Sequence, residues 1–404
     1  MEKIPSFTRG GYMRKKIDRV MFVVFILLIL YGILVQFSAS GGKPFFKRHI
    51  FLLLLSIPVF LTGFFIRPRL LLFLSFPLYL GGMVLLIFPL IFSHGVKRWV
   101  SLGFFRFQPS EFMKVILIIL LARLFAFGER KRLRAFLFPL VLSVLPFLLV
   151  AAEPDLGTSV VFILLFLGFL FFTGINVFQY FIYISPILAV LCAFHILSWI
   201  VFVLLFTVSA WFSKMRLREA VLLLFFNSLL GGSAPVLWNH LHDYQKKRIL
   251  AFINPGLDPR GAGWHILQSK IAIGSGGISG KGYLQGTQHR LEFIPASHTD
   301  FVFSVIGEEF GFVGCILLLL LFFIFIYRIY STGVSSRNPF HSFLSYGIAI
   351  YFLLHVFINT GMALGILPVV GLPLPFISYG GSFLLSCMFL SGLALNLSGR
   401  VYEY

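Results

Sequence analysis

Apolar runs of about 20 residues recur along this chain and restrict it to helices in a membrane. A run of this length spans the hydrocarbon core of a bilayer as an α-helix, which satisfies its own backbone hydrogen bonds. Hydrophobic residues make up 59% of the 404 residues and charged residues only 12%, as is typical of membrane proteins. The sequence therefore predicts an all-α polytopic membrane protein.

The predicted membrane spans number twelve, and the first is expected to act as a retained anchor. They are Ile17–Ser38, Lys47–Ile66, Leu70–Phe92, Glu111–Phe127, Ala135–Ala152, Leu156–Thr173, Val177–Ile196, Trp199–Phe212, Leu217–Trp238, Phe303–Ile326, Phe340–Ile358 and Gly380–Leu397. The eighth is short and could instead be half of a re-entrant hairpin.

Basic residues indicate the orientation of these spans, because cytoplasmic loops carry an excess of lysine and arginine. With the N-terminus inside, the cytoplasmic side holds Arg9, Arg14, Lys15, Lys16, Arg19, Arg67, Arg69, Arg130, Lys131, Arg132, Arg134, Lys214, Arg216, Arg218, Arg328, Arg337 and Arg400. The even number of spans returns the C-terminus to the cytoplasm. Residues 239–302 then form one large extracytoplasmic loop.

This loop concentrates charged, amide and glycine residues, and we expect the chemistry of the protein to lie there. Its cations are Lys246, Lys247, Arg248, Arg260, Lys270, Lys281 and Arg290, joined outside by Lys97, Arg98 and Arg106. Such a surface suits pyrophosphate or lipid headgroups, although nonspecific attraction to anionic lipid would also explain it. Nucleic acid is not expected on this face. The histidines of the loop lack metal-ligand spacing, so no built-in metal site is predicted.

Two glycine-rich segments need special backbone geometry. The run 274–282 lacks the spacing of a phosphate-binding loop, because Ser275 stands where glycine is required and Gly282 where serine or threonine is required. Its glycines are expected to let the backbone approach a bulky ligand or turn sharply. Segment Gly365–Ser382 contains three prolines and is not expected to be regular helix, so protein or a watery cavity must cover it.

Glu111 and Lys114 lie three residues apart at the start of the fourth span, on one helix face. Because an unpaired ammonium inside an apolar span is costly, we expect an ion pair that lines a polar cavity. Whether the pair is catalytic or only architectural remains open.

Two aspartates stand at helix entrances. Asp155, in the turn between the fifth and sixth spans, could cap the next helix or hold an arginine such as Arg48 or Arg248. Asp300 directly precedes the tenth span, where a helix N-cap is the competing interpretation to a site residue.

Long stretches of the chain resemble the SEDS family (shape, elongation, division and sporulation), and its elongation-type members more than its division-type members. The matching stretches are Lys97–Glu111, Ala152–Thr158, Tyr244–Arg248, Gly261–Asp300 and Gly365–Ser382. The resemblance implies a SEDS-type helical bundle. Since the family usually has ten spans, residues 177–212 are expected to be an inserted transmembrane hairpin.

The resemblance also implies a function: a peptidoglycan glycosyltransferase of the bacterial inner membrane that polymerises lipid II for cell elongation and shape. Its implied partners are a class B penicillin-binding protein and other elongation-complex proteins. The essential aspartate of the family falls on Asp300, its glutamate–lysine pair on Glu111 and Lys114, and its acidic turn on Asp155.

Lipid II carries its sugar on a pyrophosphate, which is a good leaving group. Asp300 is therefore the candidate general base for the acceptor hydroxyl, with cations around the leaving group. The candidate cations are Arg48, Lys114, Arg248 and Lys270, and further cavity-lining candidates are Gln268, Ser269, Gln288, His298, Thr299 and Ser378. No built-in cofactor is expected, although a transient Mg²⁺ or Mn²⁺ could share this work.

Two other classes of function stay open at this point. A lipid II flippase would need polar residues along the spans, yet ionisable residues thin out there except for Lys114 and Arg123. A non-catalytic scaffold for the penicillin-binding protein would not need Asp300.

Overall fold

The computed structural model describes residues 17–41, 44–92, 98–101, 106–128, 134–241, 243–254, 262–287 and 298–403. Its helices are α1 (Arg19–Ala39), α2 (Pro44–Phe65), α3 (Pro68–Phe92), α4 (Pro109–Phe127), α5 (Arg134–Ala152), α6 (Leu156–Phe171), α7 (Val177–Cys192), α8 (Ile196–Phe212), α9 (Leu217–Gly232), α10 (Ala234–His240), α11 (Asp243–Ile253), α12 (Ala262–Ser275), α13 (Val302–Ser335), α14 (Pro339–Ala363) and α15 (Gly381–Ser398). Strands β1 (Val100–Ser101) and β2 (Arg106–Phe107) pair antiparallel ahead of α4.

Each of the twelve predicted spans overlaps a helix, and the ninth covers both α9 and most of α10. Within the described ranges, seven helices are long and apolar enough to cross a membrane, with α9 and α10 taken together, and α5 to α8 are shorter apolar helices. Several predicted bounds were wrong, and the end of α13 differs most. Helix α8 has 17 residues and begins at Ile196, before the predicted Trp199. Helix α13 has 34 residues and continues to Ser335 instead of ending at Ile326.

The segment predicted as one large loop is partly helical, because it contains α11 and α12. Helix α12 places Ile266, Ser269 and Ala272 on one face, and all three are buried. The Ser269 hydroxyl donates to the backbone carbonyl of Ala363 in α14. This packing explains why a polar stretch forms a helix here.

Helices α14 and α15 form the centre of the bundle. Most of their residues are buried, whereas α2, α3 and α9 leave large apolar side chains on the outside, as lipid-facing helices do. Small residues bring α2 and α15 together: a Cβ added at Gly63 would lie 2.3 Å from the Phe389 carbonyl oxygen, and one at Gly392 would lie 2.2 Å from that of Phe60. Such close backbone approach is a usual way for helices to pack in a membrane.

The glycine-rich run 274–282 packs into a break in α13. At Gly311 the backbone has φ 63°, which interrupts the helical hydrogen bonds and leaves two carbonyls and two N–H groups without helical partners. All four are bonded by the run. The bonds are Lys281 N to Glu308 O (2.9 Å), Gly282 N to Glu309 O (3.1 Å), Phe312 N to Gly277 O (2.9 Å) and Val313 N to Ile278 O (3.1 Å). The expected close approach therefore exists, but the neighbour is a helix backbone and not a ligand.

Substitution of Gly280 by alanine is expected to destabilise the protein by about 3 kcal/mol, since φ is left-handed and a clash adds to that strain. Gly280 has φ +81°, and an added Cβ would lie 2.1 Å from the Glu309 carbonyl oxygen. Gly277→Ala is the matched control, because Gly277 has φ +57° with no atom within 4 Å of the added Cβ. It should cost only about 1 kcal/mol. Equal shifts of the thermal unfolding midpoint in the two variants would contradict the proposed packing.

Candidate active site

Asp300 ends a short non-helical segment, residues 298–300, whose carbonyl groups are held by α1, α14 and the loop before α15. The bonds are Gln36 Nε2 to His298 O (2.7 Å), Tyr379 N to His298 O (2.9 Å), Ser378 Oγ to Thr299 O (2.6 Å) and Asn359 Nδ2 to Asp300 O (2.9 Å). Each of the three carbonyls is therefore anchored, which fixes the position of the Asp300 backbone.

The Asp300 side chain does not cap the following helix. The N-cap residue of α13 is Phe301, which makes no side-chain cap hydrogen bond, so the N-cap interpretation of Asp300 was wrong. The carboxylate instead lies beside Gly371, where an added Cβ would be 3.2 Å from Asp300 Oδ2. The loop 364–380 is non-helical, as predicted, and it makes room for this carboxylate.

The Asp300 carboxyl lies among charged groups from three other parts of the chain. Its pKa is raised to about 6, mainly by burial; Arg248 opposes this rise, Asp155 adds to it, and the Thr299 hydroxyl and Arg98 also oppose it. A carboxylate with this pKa is mostly ionised at neutral pH and is more basic than an ordinary aspartate. Arg248, a predicted site residue, is thus brought to Asp300.

Asp155 combines both roles considered from the sequence. Its carboxylate caps α6 by accepting hydrogen bonds from the Thr158 N–H (3.3 Å) and hydroxyl (3.1 Å). It also accepts from Gln108 Nε2 (3.1 Å) and lies 3.7 Å from an Arg98 nitrogen. The arginine beside Asp155 is Arg98, which was not one of the two examples named from the sequence.

Glu153 is a site neighbour that the sequence reasoning missed. It is buried, and in the described part of the chain neither of its carboxyl oxygens has a hydrogen-bond partner. Burial, followed by the charge of Asp155, raises its pKa to about 8, against the opposing effect of Arg98. Glu153 is therefore mostly protonated at neutral pH, and it adds little negative charge beside Asp155.

The predicted ion pair between Glu111 and Lys114 is present and buried. Lys114 Nζ lies 2.8 Å from Glu111 Oε2 and 2.9 Å from Oε1, and it also lies 3.4 Å from His355 Nε2. Lys114 is 0% exposed, so it is enclosed by protein and does not open to a substrate surface. This geometry favours the architectural role.

One face of α14 connects this ion pair to Asp300. His355 and Asn359 lie one turn apart and share that face. His355 Nδ1 is 3.2 Å from the Pro373 carbonyl oxygen, and Asn359 Nδ2 donates to Leu372 O (2.8 Å) as well as to Asp300 O. The buried pair, the loop and the aspartate therefore belong to one hydrogen-bonded assembly.

The other predicted site residues divide into two groups. His298, Thr299 and Ser378 lie at the site, and the ring of His298 stacks on Phe45 with centroids 4.8 Å apart. Arg48 lies near Phe45 on α2 and is exposed.

On α12, Ser269 serves packing, because its hydroxyl is 2.6 Å from that of Ser304 and also bonds to α14. Gln268 is buried and Lys270 is exposed, with the end of its side chain beside Gly365. Gln288 lies outside the described residues.

Two amides that position the site, Gln36 and Asn359, were also missed by sequence reasoning. Both lie within otherwise apolar helices and are buried, at 1% and 0% exposure. A polar side chain inside a membrane span is costly unless it is hydrogen-bonded. Its presence there therefore makes it a functional candidate. That rule, applied to amides as well as to charges, could have found them.

The described residues do not bring together three or more histidine, cysteine, aspartate or glutamate side chains in a way that could hold a metal ion. Asp155, whose negative charge raises the pKa of Asp300, already accepts three hydrogen bonds. These residues therefore do not fit a resident metal site.

Comparison with known proteins identifies the family. The model of a family described as cell cycle protein, FtsW/RodA/SpoVE, matches residues 18–200 and 186–403. The chain belongs to this family. It is thus a multi-pass membrane protein of the SEDS type, as the sequence motifs predicted. The two matches meet inside the region 177–212, where α7 and α8 lie.

Two relatives cover most of the chain. Peptidoglycan glycosyltransferase MrdB of Escherichia coli (strain K12) is 37% identical over 390 residues, covering 94% of this chain and 93% of the relative. Peptidoglycan glycosyltransferase RodA of Treponema pallidum (strain Nichols) is 32% identical over 364 residues, covering 79% and 81%.

A solved structure described as "Structural coordination of polymerization and crosslinking by a peptidoglycan synthase complex" has the same fold. It superposes with a TM-score of 0.72 at 27% identity and covers 96% of this chain and 99% of that chain. The family fold therefore extends across nearly all of the protein.

Proposed function

We propose that this protein is a peptidoglycan glycosyltransferase that polymerises lipid II into glycan strands during cell elongation. The two relatives named peptidoglycan glycosyltransferase support the proposal. The observation that carries it is the Asp300 carboxyl, which stands on an anchored backbone, has a pKa of about 6 and is influenced by the charges of Arg248 and Arg98. In this proposal both termini lie in the cytoplasm, and Asp300 faces the outside of the bacterial cytoplasmic membrane.

Asp300 acts as the general base in the proposed reaction. Its carboxylate accepts the proton of an acceptor sugar hydroxyl while that oxygen forms a bond to the anomeric carbon of the donor. The bond from this carbon to the pyrophosphate oxygen breaks, and the lipid pyrophosphate leaves with the electron pair. Arg248 and Arg98 stabilise the growing negative charge. Glycoside hydrolysis needs a second carboxyl group as acid, but a pyrophosphate leaves without one.

A divalent cation that arrives with the substrate could share the stabilisation of the leaving pyrophosphate. Mg²⁺ is commonly held by one or two carboxylates together with substrate phosphates and water, and a Mg²⁺ or Mn²⁺ bound to the pyrophosphate would follow that pattern. The proposed transfer reaction does not depend on this cation.

We also propose a class B penicillin-binding protein as the partner, within a larger elongation complex. The solved structure that shares this fold is described as a synthase complex that coordinates polymerization and crosslinking. Co-purification of the two proteins and a rise in polymer yield on mixing them would test the pairing. Polymer that never forms with intact protein and partner, while lipid II crosses vesicle membranes, would favour transport instead.

The rate of polymerisation is expected to rise with pH through an apparent pKa of about 6, because the base must be ionised. A pH–rate profile with purified lipid II measures this rise, which is the acid limb of the profile. Arg248→Gln removes a cation that lowers the pKa of Asp300, so the limb should move to higher pH. Lys246→Gln, in the same helix, is the control and should leave the limb in place. A limb that stays unchanged in Arg248→Gln would contradict the assignment of Asp300 as the base.

A further inference from the structure

Four rings from three parts of the chain cluster beside the Asp300 segment. Phe45 of α2 stacks on His298 with centroids 4.8 Å apart, and Tyr379 meets each of these two rings edge-on at 6.0 Å. His49 lies one turn further along α2, and its ring centroid is 6.3 Å from that of Tyr379. Because His298 and Asp300 are two residues apart, their Cα atoms are at most about 7 Å apart. The ring cluster therefore adjoins the proposed general base.

The outer rings of this cluster are accessible. Phe45 is 39% exposed, and His298 and Tyr379 are half-buried. We call these three residues the ring platform. A phenylalanine that only anchored α2 in lipid would point away from the bundle, whereas Phe45 lies against the segment that carries Asp300. An aromatic face suits the ring of a sugar, whose C–H groups pack on the face while its hydroxyl groups point to the sides.

His49 gives the inner end of the cluster a polar character. It is 0% exposed, and neither of its ring nitrogens has a hydrogen-bond partner among the described residues. A buried polar atom without a partner is costly. An acyl chain offers nothing to these nitrogens, whereas a sugar hydroxyl or acetamido group, or water that enters with the sugar, can bond to them. His49 therefore favours a sugar over a lipid chain at the ring platform.

We propose that the ring platform stacks a pyranose ring of the substrate and directs its hydroxyl groups toward Asp300, with His49 bonding to the sugar or to water bound with it. This inference rests on the proposed function, since lipid II supplies the sugar. The ring platform binds the sugar, and Asp300 accepts the proton. Stacking is equally strong before and during the reaction, so it lowers KM and leaves kcat to other groups.

Binding of two lipids by the purified full-length protein tests the ring platform. The probes are lipid II and undecaprenyl pyrophosphate, which carries the lipid pyrophosphate without a sugar. Phe45→Leu keeps an apolar side chain but loses the ring, so its affinity for lipid II should fall about fivefold while that for undecaprenyl pyrophosphate stays unchanged. Phe45→Trp keeps an aromatic face and should retain most of the affinity. Phe51→Leu is the matched control, because Phe51 also lies on α2 and is 57% exposed.

His49→Leu separates sugar binding from folding. It removes two unpartnered polar atoms from the interior, so the thermal unfolding midpoint should stay the same or rise. The affinity for lipid II should nevertheless fall about fivefold, because the sugar loses a hydrogen bond. Unchanged affinity for lipid II would overturn the role of His49.

A loss confined to lipid II in Phe45→Leu supports the ring platform. Equal losses for the two lipids would overturn it, because the ring would then contact the lipid chain, and so would unchanged affinity for both. In polymerisation assays the same variant should show its loss mainly in KM. Wild-type protein that shows this sugar-dependent binding but never forms polymer would count against the proposed function and leave the ring platform standing.

Discussion

Asp300→Asn is expected to lower the rate of lipid II polymerisation by about 10²–10⁴-fold, the usual contribution of a general base. The amide keeps the size of the side chain but cannot accept the proton of the acceptor hydroxyl. The backbone anchors from Gln36, Ser378 and Asn359 bind carbonyl groups and do not involve the carboxylate, so the segment should keep its position. The measurement is glycan chain formation by detergent-solubilised protein with its partner.

Glu219→Gln is the control for this substitution, because Glu219 is an exposed carboxylate in the first turn of α9. It makes the same acid-to-amide change and should leave polymerisation unchanged. Thermal unfolding of both variants should match that of the wild type within a few degrees. Undiminished glycan chains from a well-folded Asp300→Asn protein would show that Asp300 is not the base.

Lys114→Met is expected to destabilise the protein by about 3–5 kcal/mol, the usual cost of removing one partner from a buried ion pair. The remaining Glu111 carboxylate would lie at 3% exposure without its cation. His355 would also lose a polar neighbour at 3.4 Å. A large fall in the thermal unfolding midpoint of the solubilised protein would measure this effect.

The double variant Glu111→Gln/Lys114→Met separates an architectural role from a catalytic one. It removes both charges together, so most of the lost stability should return. If the pair only supports the site, this variant polymerises lipid II at close to the wild-type rate. A stable double variant without activity would assign the pair to the reaction, and a fully stable Lys114→Met protein would contradict the proposed burial cost.

The sequence located the helices well but not their irregularities. Apolar runs predict spans because each helix meets its own backbone hydrogen bonds locally. The break in α13 at Gly311 was missed, since it is stabilised by bonds from a run that lies about 30 residues earlier. The helix α12 was missed too, because its buried face depends on α13 and α14.

The residues of the candidate site were likewise predicted only in part from the sequence. Asp300, Asp155, Arg248 and the pair Glu111–Lys114 were all predicted from residue type and family motifs. The partners of those residues were not, because Gln36, Arg98 and Asn359 reach the site from distant parts of the chain. Packing brings together partners that lie 59 and 262 positions apart in the sequence, as in the bonds from Asn359 and Gln36. Such distant partners leave no local pattern in one sequence.

The sequence by itself determined that this chain is a bundle of apolar helices with a polar, basic segment that ends in Asp300. Those features follow from local composition and hydrogen bonding. Only the tertiary structure decided that Asp300 is anchored through the backbone carbonyls of Thr299 and Asp300, and that its pKa is set by burial and by Arg248. The reason is physical: burial and charge are properties of the surroundings, which exist only after the helices have packed.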